Sequence, residues 1–178
     1  MIFNPLFNKV TIIVVTFQSA HCLDSLSPLL SVCPHVVISD NCSEDGCPDV
    51  AQNLWPQAKV LKHEKNMGFG AANNRALKTV ITPWAFLLNP DCELTIQALE
   101  ELMMVTTAMD TPALIAPQII NVDGGFEINY RWPSDKWVSR GRGAEGPTCV
   151  GFVSGAAMLI DVEKLKPTNF FDEDFFLY

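Results

Sequence analysis

The stretch Trp84-Ala85-Phe86-Leu87-Leu88-Asn89-Pro90-Asp91 decides the fold. Five apolar residues without a charge read as a strand buried on both faces, and Pro90, which has no backbone N–H, stops it. The chain thereby delivers a carboxylate, Asp91, to the carboxyl end of a central strand, where open α/β sheets build their ligand sites. A carboxylate held there suits a divalent cation that bridges a diphosphate. Asn89-Pro90-Asp91 is also a good turn sequence, and taken alone it reads equally well as a plain turn.

Outward from this stretch the pattern alternates. Val10-Thr11-Ile12-Ile13-Val14-Val15-Thr16 is β-branched throughout and predicts a first, central parallel strand. Cys22, Leu23, Leu26, Leu29, Leu30 and Cys33 then recur at helical spacing until Pro34. Val36-Val37-Ile38 is a second short strand running into Ser39-Asp40-Asn41, and residues 49–55 predict a short helix stopped by Pro56. Lys59-Val60-Leu61 is a third strand. Residues 70–80 are helical, with Ala71, Ala72, Ala76 and Leu77 able to pack closely on a sheet. Residues 84–88 are the fourth strand, and residues 95–109 a longer helix that Thr95 caps. Such alternation is the signature of βαβ units on a parallel sheet. After Ala113-Leu114-Ile115-Ala116 it breaks. Residues 121–148 carry Gly, Pro, Ser and isolated aromatics and predict a long irregular or hairpin segment, mobile without ligand. Its basic residues, Arg131, Lys136, Arg140 and Arg142, suit closure over a phosphorylated donor or a polyprenyl-phosphate-linked acceptor. Val150 to Val153 and Met158 to Ile160 add strands before a short helix near residues 161–165.

The composition agrees with one globular domain over residues 1–178. Of the 178 residues 48% are hydrophobic and 18% charged, which excludes a disordered chain. A net charge of -8 argues against a nucleic-acid backbone as partner. It still allows a phosphorylated small ligand, which a local cation or a helix N-terminus can hold. Cys22, Cys33, Cys42, Cys47, Cys92 and Cys149 form no C-x-x-C pair, so neither zinc nor a disulfide framework is indicated, and their scatter suits a reducing cytosol. His21, His35 and His63 stand singly and read as surface or capping residues. Met1 to Lys9 lacks a basic n-region, and the apolar run from Val10 to Phe17 is too short to span a membrane. The expectation is a cytoplasmic protein with room for peripheral contact at the inner face of a membrane.

Three further stretches carry chemistry. Asp40 ends the second strand, where its carboxylate can accept from a planar ligand edge such as a pyrimidine imide N–H; Asp40-Asn41-Cys42-Ser43 also reads as an ordinary turn with a self-bonding Asp. Asn66-Met67-Gly68-Phe69-Gly70 places two glycines before a helix start, letting backbone approach a ligand and free N–H groups attract phosphate. A dinucleotide fingerprint fails here, because Asn73 holds its last glycine position and the stretch follows the third strand, not the first. Arg75 by itself reads as a solvated helix residue. Gly151-Phe152-Val153-Ser154-Gly155-Ala156-Ala157-Met158-Leu159-Ile160 reads equally as a strand with a glycine bulge.

In order and spacing, these stretches together with Phe170-Phe171-Asp172-Glu173-Asp174-Phe175-Phe176-Leu177-Tyr178 resemble the family 2 glycosyltransferases, inverting enzymes with a GT-A nucleotide-sugar fold. The resemblance runs from about Val10 to Tyr178 and is greatest to the rhamnosyltransferase-like members that assemble bacterial surface polysaccharides. It implies a GT-A-like α/β three-layer sandwich with a mostly parallel central sheet. It also implies transfer from a nucleotide-diphosphate sugar, such as dTDP-rhamnose or a UDP-sugar, to a polysaccharide or lipid-linked acceptor. Thr16, Phe17, Gln18 and Asp40 would line the base pocket; the family usually has Tyr-Asn where Phe17-Gln18 stand, and Gln18 keeps the amide. Asn66, Gly68, Gly70 and Arg75 would face the nucleotide and diphosphate. Asn89 and Asp91 stand where the family carries its Asp-x-Asp-type motif, Asp91 reaching Mg2+ or Mn2+ and Asn89 being a common replacement. Gly155 and Ala156 would leave room for the sugar ring.

In the family, the run matching Phe170 to Tyr178 is followed at once by an acidic pair that holds the general base. Asp172, Glu173 and Asp174 match positions just before that base, so the catalytic residue is expected beyond Tyr178 and the domain is expected to be C-terminally incomplete. The resemblance thus implies weak or no turnover for residues 1–178, the alternative function being a catalytically silent fragment that only binds the nucleotide sugar. Phe170, Phe171, Phe175, Phe176 and Leu177 would then be short of packing partners and favour homo-oligomers through this end. A nucleotidyltransferase is disfavoured, because no glycine-rich, Lys/Arg-bearing loop follows the first strand.

Overall fold

Alternation along the strands builds apolar cores on both faces of one sheet. In the computed structural model, which describes residues 4–109, 112–127, 130–131 and 146–176, a 3-10 turn at Pro5–Lys9 leads into β1 (Val10–Thr16). A 3-10 stretch (Ala20–Leu26) continues into α1 (Ser27–Leu30), followed by β2 (Val36–Asp40), α2 (Cys47–Leu54), β3 (Lys59–Lys62), α3 (Phe69–Leu77), β4 (Trp84–Leu88) and α4 (Ile96–Ala108). Then come β5 (Leu114–Ile115), β6 (Tyr130–Arg131), β7 (Phe152–Val153), β8 (Ala157–Asp161), α5 (Val162–Leu165) and a 3-10 turn at Lys166–Thr168.

The strands β1 and β4 have the bounds expected of them, and Thr95 caps α4 by accepting the Ala98 N–H at 3.1 Å. The continuous helix expected across Cys22 to Cys33 is instead mostly 3-10. Pro28 is the reason: it has no N–H to donate to the carbonyl four residues back, and Ser27 N–H bonds the Asp24 carbonyl in the tighter pattern.

The six-stranded sheet has the order β3-β2-β1-β4-β8-β5, with β1 to β4 parallel and β8 antiparallel to both β4 and β5. Val10, Ile12 and Val14 of β1, Phe86 and Leu88 of β4, and Leu159 of β8 face one way, onto Leu23, Leu29, Trp55, Leu99 and Met103. Ile13, Leu87, Met158 and Ile160 face the other, onto Ala76 and Leu77 of α3 and Val162 of α5. The result is a sheet between two helical layers. Strand order reverses between β1 and β4, so the right-handed crossover from β3 to β4 sends α3 to the face opposite α1 and α2. A crevice opens at the carboxyl ends of the strands where such a reversal occurs. Because β8 is antiparallel and Ala157 pairs with Leu88, the residues entering β8, Gly155 and Ala156, stand at this same edge.

Of residues 121–148, both ends are described. Ile120 and Phe126 form an antiparallel bridge around Gly124 (φ 83°), and β6 pairs with β7 in a separate two-stranded sheet. Lys136, Arg140, Arg142 and the glycines Gly141 and Gly143 lie outside the described residues, as do Leu177 and Tyr178. At the C-terminal end the expected lack of packing is corrected in part. Phe170 and Phe171 pack against the α3-side core, whereas Phe175 and Phe176 are 59% and 53% exposed.

Candidate functional site

Parallel pairing sets Thr16 of β1 opposite Asp40 of β2 at the carboxyl edge. Asp40 is 2% exposed, and most of its carboxylate's acceptor capacity is taken by its own surroundings. Oδ1 accepts from Thr16 Oγ1 at 2.8 Å and Ser43 Oγ at 2.6 Å, and Oδ2 accepts from Ser43 N at 2.9 Å. A carboxylate offers about four acceptor directions, so one remains on Oδ2. The turn reading and the acceptor reading are therefore both realised in one residue. Gln18 is left-handed (φ 53°), and its amide oxygen takes the Glu44 N–H at 3.2 Å while its own N–H reaches Ser43 Oγ at 3.0 Å. Its amide oxygen thus staples two loops together. Phe17 is half exposed beside it.

His63 lies one residue past β3, its N–H donating to the Asp40 carbonyl at 3.0 Å. Its Nε2 stands 2.8 Å from Ser39 Oγ, and that hydroxyl gives its single proton to the Ala72 carbonyl at 2.9 Å. Nε2 is therefore the donor and carries the ring proton. Burial, then the nearby Arg75 charge, hold this imidazole below its ordinary value, with Asp40 pulling the other way. Arg75 itself is exposed on α3.

The glycine turn is held from both sides. Asn66 Oδ1 accepts the Gly68 N–H at 3.0 Å, and Asn41 Nδ2 donates to the Gly68 carbonyl at 3.1 Å. Gly68 needs its φ of 87°, which only glycine adopts cheaply. The close approach these glycines permit is made by the chain itself. A Cβ on Gly68 would collide with the Phe176 carbonyl, and one on Gly70 would stand 3.1 Å from Phe171 Cβ. The Phe69 N–H, expected to be free for phosphate, donates to the Phe176 carbonyl at 3.1 Å. Gly155, expected to leave room for a sugar ring, leaves room for the Phe69 ring, whose Cε1 would be 3.1 Å from an added Cβ.

At the end of β4 the Cys92 N–H closes a β-turn onto the Asn89 carbonyl at 3.1 Å, with Pro90 at the second position, and Asn89 N–H bonds the Ala156 carbonyl at 2.8 Å. Asp91 projects from this turn exposed to solvent, with Cys92 Sγ 3.7 Å from Oδ1. Burial, then the Asp91 charge and the hydrogen bond to it, push the Cys92 thiol up to about 11. Among the described residues no cluster of three or more His, Cys, Asp or Glu stands ready to enclose a metal. One exposed carboxylate fits Mg2+ or Mn2+ only if a bound diphosphate and waters complete the shell, as they do for magnesium generally. An apolar cavity of about 720 Å³ lies elsewhere, against Leu102, Met109, Ile115 and Phe152, and none of these site residues lines it.

A family model described as "Glycosyl transferase family 2" matches residues 11–165. The chain belongs to this family. Two curated relatives, the N-acetylglucosaminyl-diphospho-decaprenol L-rhamnosyltransferases of two Mycobacterium tuberculosis strains, are 23% identical over 204 aligned residues, which cover 94% of this chain and 66% of theirs. Among solved structures, S. aureus TarS 1-349 in complex with UDP matches with a TM-score of 0.61 at 18% identity, over 94% of this chain and 51% of that one. The mannosyltransferase PcManGT from Pyrobaculum calidifontis, in complex with GDP-Man and Mn2+, matches at 0.63 and 15%, over 93% and 48%. The chain thus spans about half the length of these structures, and the shared fold is GT-A, an α/β sandwich with a mostly parallel mixed sheet.

Within this family 2 domain, Thr16, Gln18, Asp40, Asn66, Gly68, Asn89, Gly155 and Ala156 all fall along one carboxyl edge. Ser43 and Asn41 also bond at that edge, and Asn74 bonds Phe171 and Glu173 from α3, although none of the three is expected as a site residue; His63 is more than the surface or capping residue expected of it. Asp-x-x-Ser is a local signal for the Ser43 bonds. For His63 no local signal exists, because its partners Ser39 and Ala72 come from other elements.

Proposed function

We propose that the chain belongs to an inverting glycosyltransferase that moves a sugar from a nucleotide-diphosphate sugar onto a saccharide or polyprenyl-phosphate-linked acceptor. The observation that carries this reading is the row of base-side and diphosphate-side groups, Thr16-Asp40 and Asn89-Asp91, at the switch point of a family 2 domain. Thr16 and Ser43 lock the Asp40 rotamer, so the remaining lone pair on Oδ2 is aimed before a base edge arrives. Asp91 would hold Mg2+ or Mn2+, and the cation, when bound, supplies positive charge beside the leaving diphosphate. In-line attack requires a carboxylate base for the acceptor hydroxyl; no residue here is assigned that role. Asp172 Oδ1 accepts the Asp174 N–H at 3.0 Å, and Glu173 bonds Asn74, so these acids serve local structure.

The names of the relatives support the finer points. The mycobacterial enzymes are named for rhamnosyl transfer to a diphospho-decaprenol-linked sugar, and the solved neighbours hold UDP, or GDP-Man with Mn2+. Work on a polyprenyl acceptor would put the protein at the inner face of the membrane from the cytoplasm; among the described residues no helix is long and apolar enough to cross it. Titration calorimetry with UDP, dTDP and GDP, each with and without Mn2+, tests the reading. Binding of at least one, strengthened by metal and weakened in Asp91→Ala, is expected. Failure of all three to bind would sink it, and metal-dependent affinity that survives Asp91→Ala would remove the metal role.

A further inference from the structure

Segment 171–176 crosses the N-terminal half of α3, and that half is shaped to receive it. Asn74 is fully buried in the helix, where asparagine is a poor choice on propensity grounds. All of its side-chain bonds leave the helix. Nδ2 donates to the Phe171 carbonyl at 2.8 Å and to Glu173 Oε1 at 3.0 Å, while Oδ1 accepts the Phe171 N–H at 3.1 Å. The amide therefore reads both backbone groups of one residue and the side chain of another. One turn earlier Gly70 leaves space for Phe171, and the Phe69 ring meets the Phe171 ring edge-on at 5.9 Å and 83°. The Phe69 N–H closes the far end onto the Phe176 carbonyl. Ahead of the segment, Asn169 (φ 59°) and Phe170 (φ 62°) are both left-handed, a conformation a bulky aromatic rarely adopts. The chain turns sharply there, and the bonds that Phe171, Glu173 and Phe176 make to α3 hold it in the turned state.

We propose that Asn74 is a positioning residue: its carboxamide fixes Phe171 and Glu173, and so sets where the acidic run Asp172-Glu173-Asp174 stands beside the start of α3. The glycines of Asn66-Met67-Gly68-Phe69-Gly70 then serve this docking, and the diphosphate is held from the Asn89-Asp91 side. The role in transfer rests on the proposed glycosyltransferase activity; the clamp itself does not, and the two are separable by experiment. Asn74→Asp keeps the shape and the acceptor but turns a carboxylate toward the Phe171 carbonyl and Glu173. Amide hydrogen exchange is expected to quicken about tenfold or more at residues 171–176 and at Phe69, with the sheet strands unchanged, since local opening follows loss of local bonds.

Adding Glu173→Gln to Asn74→Asp supplies an amide donor opposite the new carboxylate, and part of the protection is expected to return. Glu173→Ala alone, at an exposed position that leaves the fold intact, is expected to quicken exchange at residues 171–174 by a smaller factor. Affinity for the nucleoside diphosphate that the wild-type chain binds is expected to stay within about twofold, because the clamp lies apart from the Asn89-Asp91 side. Unchanged exchange in Asn74→Asp, quickening spread over the whole sheet, or no return of protection in the double variant would each overturn the clamp. A fall in nucleoside diphosphate affinity well beyond twofold would overturn the separation of the clamp from the diphosphate side. A wild-type chain that binds no nucleotide would remove the glycosyltransferase reading and leave the exchange results standing.

Discussion

Asp40→Asn tests whether the base-side acceptor is built as its geometry indicates. Asn has one oxygen where Asp has two, so the substitution keeps the Oδ1 position, with its bonds from Thr16 Oγ1 and Ser43 Oγ, and turns an NH2 group toward the Ser43 N–H. Two bonds to a charged acceptor become bonds to a neutral one, each weaker by ~1 kcal/mol, and one donor loses its partner at ~1 kcal/mol where water can partly replace it. Thr16 is fully buried, so its hydroxyl has no water to turn to if the amide flips. The expected loss of stability is ~2–3 kcal/mol, which with a urea dependence of ~2 kcal/mol/M lowers the midpoint by ~1–1.5 M. Ser43→Ala removes a bond from the same carboxylate, so the double variant should be less damaging than the separate losses combined, with coupling of ~1 kcal/mol. Urea unfolding followed by far-UV circular dichroism measures all of these. A loss under ~0.5 kcal/mol for Asp40→Asn, the range of ordinary surface changes, would refute the idea that these bonds hold the carboxylate.

The remaining expectations concern other groups. His63 has its ring held below the ordinary 6.5 by burial and Arg75, so the unfolded chain takes up its proton first. The resulting stability is complete above pH 6.5 and is lost as pH falls through the lower folded value; His63→Gln, which keeps a donor for Ser39, should flatten midpoints measured from pH 5 to 7. Gly70→Ala gains up to ~1 kcal/mol of helix propensity but loses ~1–3 kcal/mol by overpacking against Phe171, so thermal unfolding should show net destabilisation. A stabilised variant would mean that the segment does not pack there. Alkylation at pH 8 should modify the exposed Cys42 and Cys149 first and spare Cys33, whose thiol burial pushes up to about 12, and the buried Cys47; mass spectrometry of timed samples reads the order.

Strands β1 and β4, the mostly parallel α/β class and the edge proposed here to bind the nucleotide sugar are all legible in the amino-acid order. The reason is local: β-branched runs, an apolar run stopped by Pro90, and Thr95 at a helix start act within a few residues of themselves. Asp40, Gly68, Asn89 and Asp91 are marked as residues of that edge in the same way, because turn formers at strand ends occur where chain direction changes. Some of their bonds are local, Ser43 to Asp40 and Asn66 to Gly68, but the rest came only from tertiary packing. Thr16 and Asp40 are 24 residues apart and meet through strand register, and His63 is aligned by Ser39 and Ala72 across a strand and a helix. The glycines before α3 could be read as making room, but not for what. Phe171 and Phe176, about a hundred residues downstream, fill that room; Asn74 holds Phe171 there through bonds to Phe171 and Glu173, 97 and 99 positions away, and the Phe69 N–H holds Phe176. Pairings at such separation depend on how the layers stack, a property of the whole packed chain that no window of sequence contains.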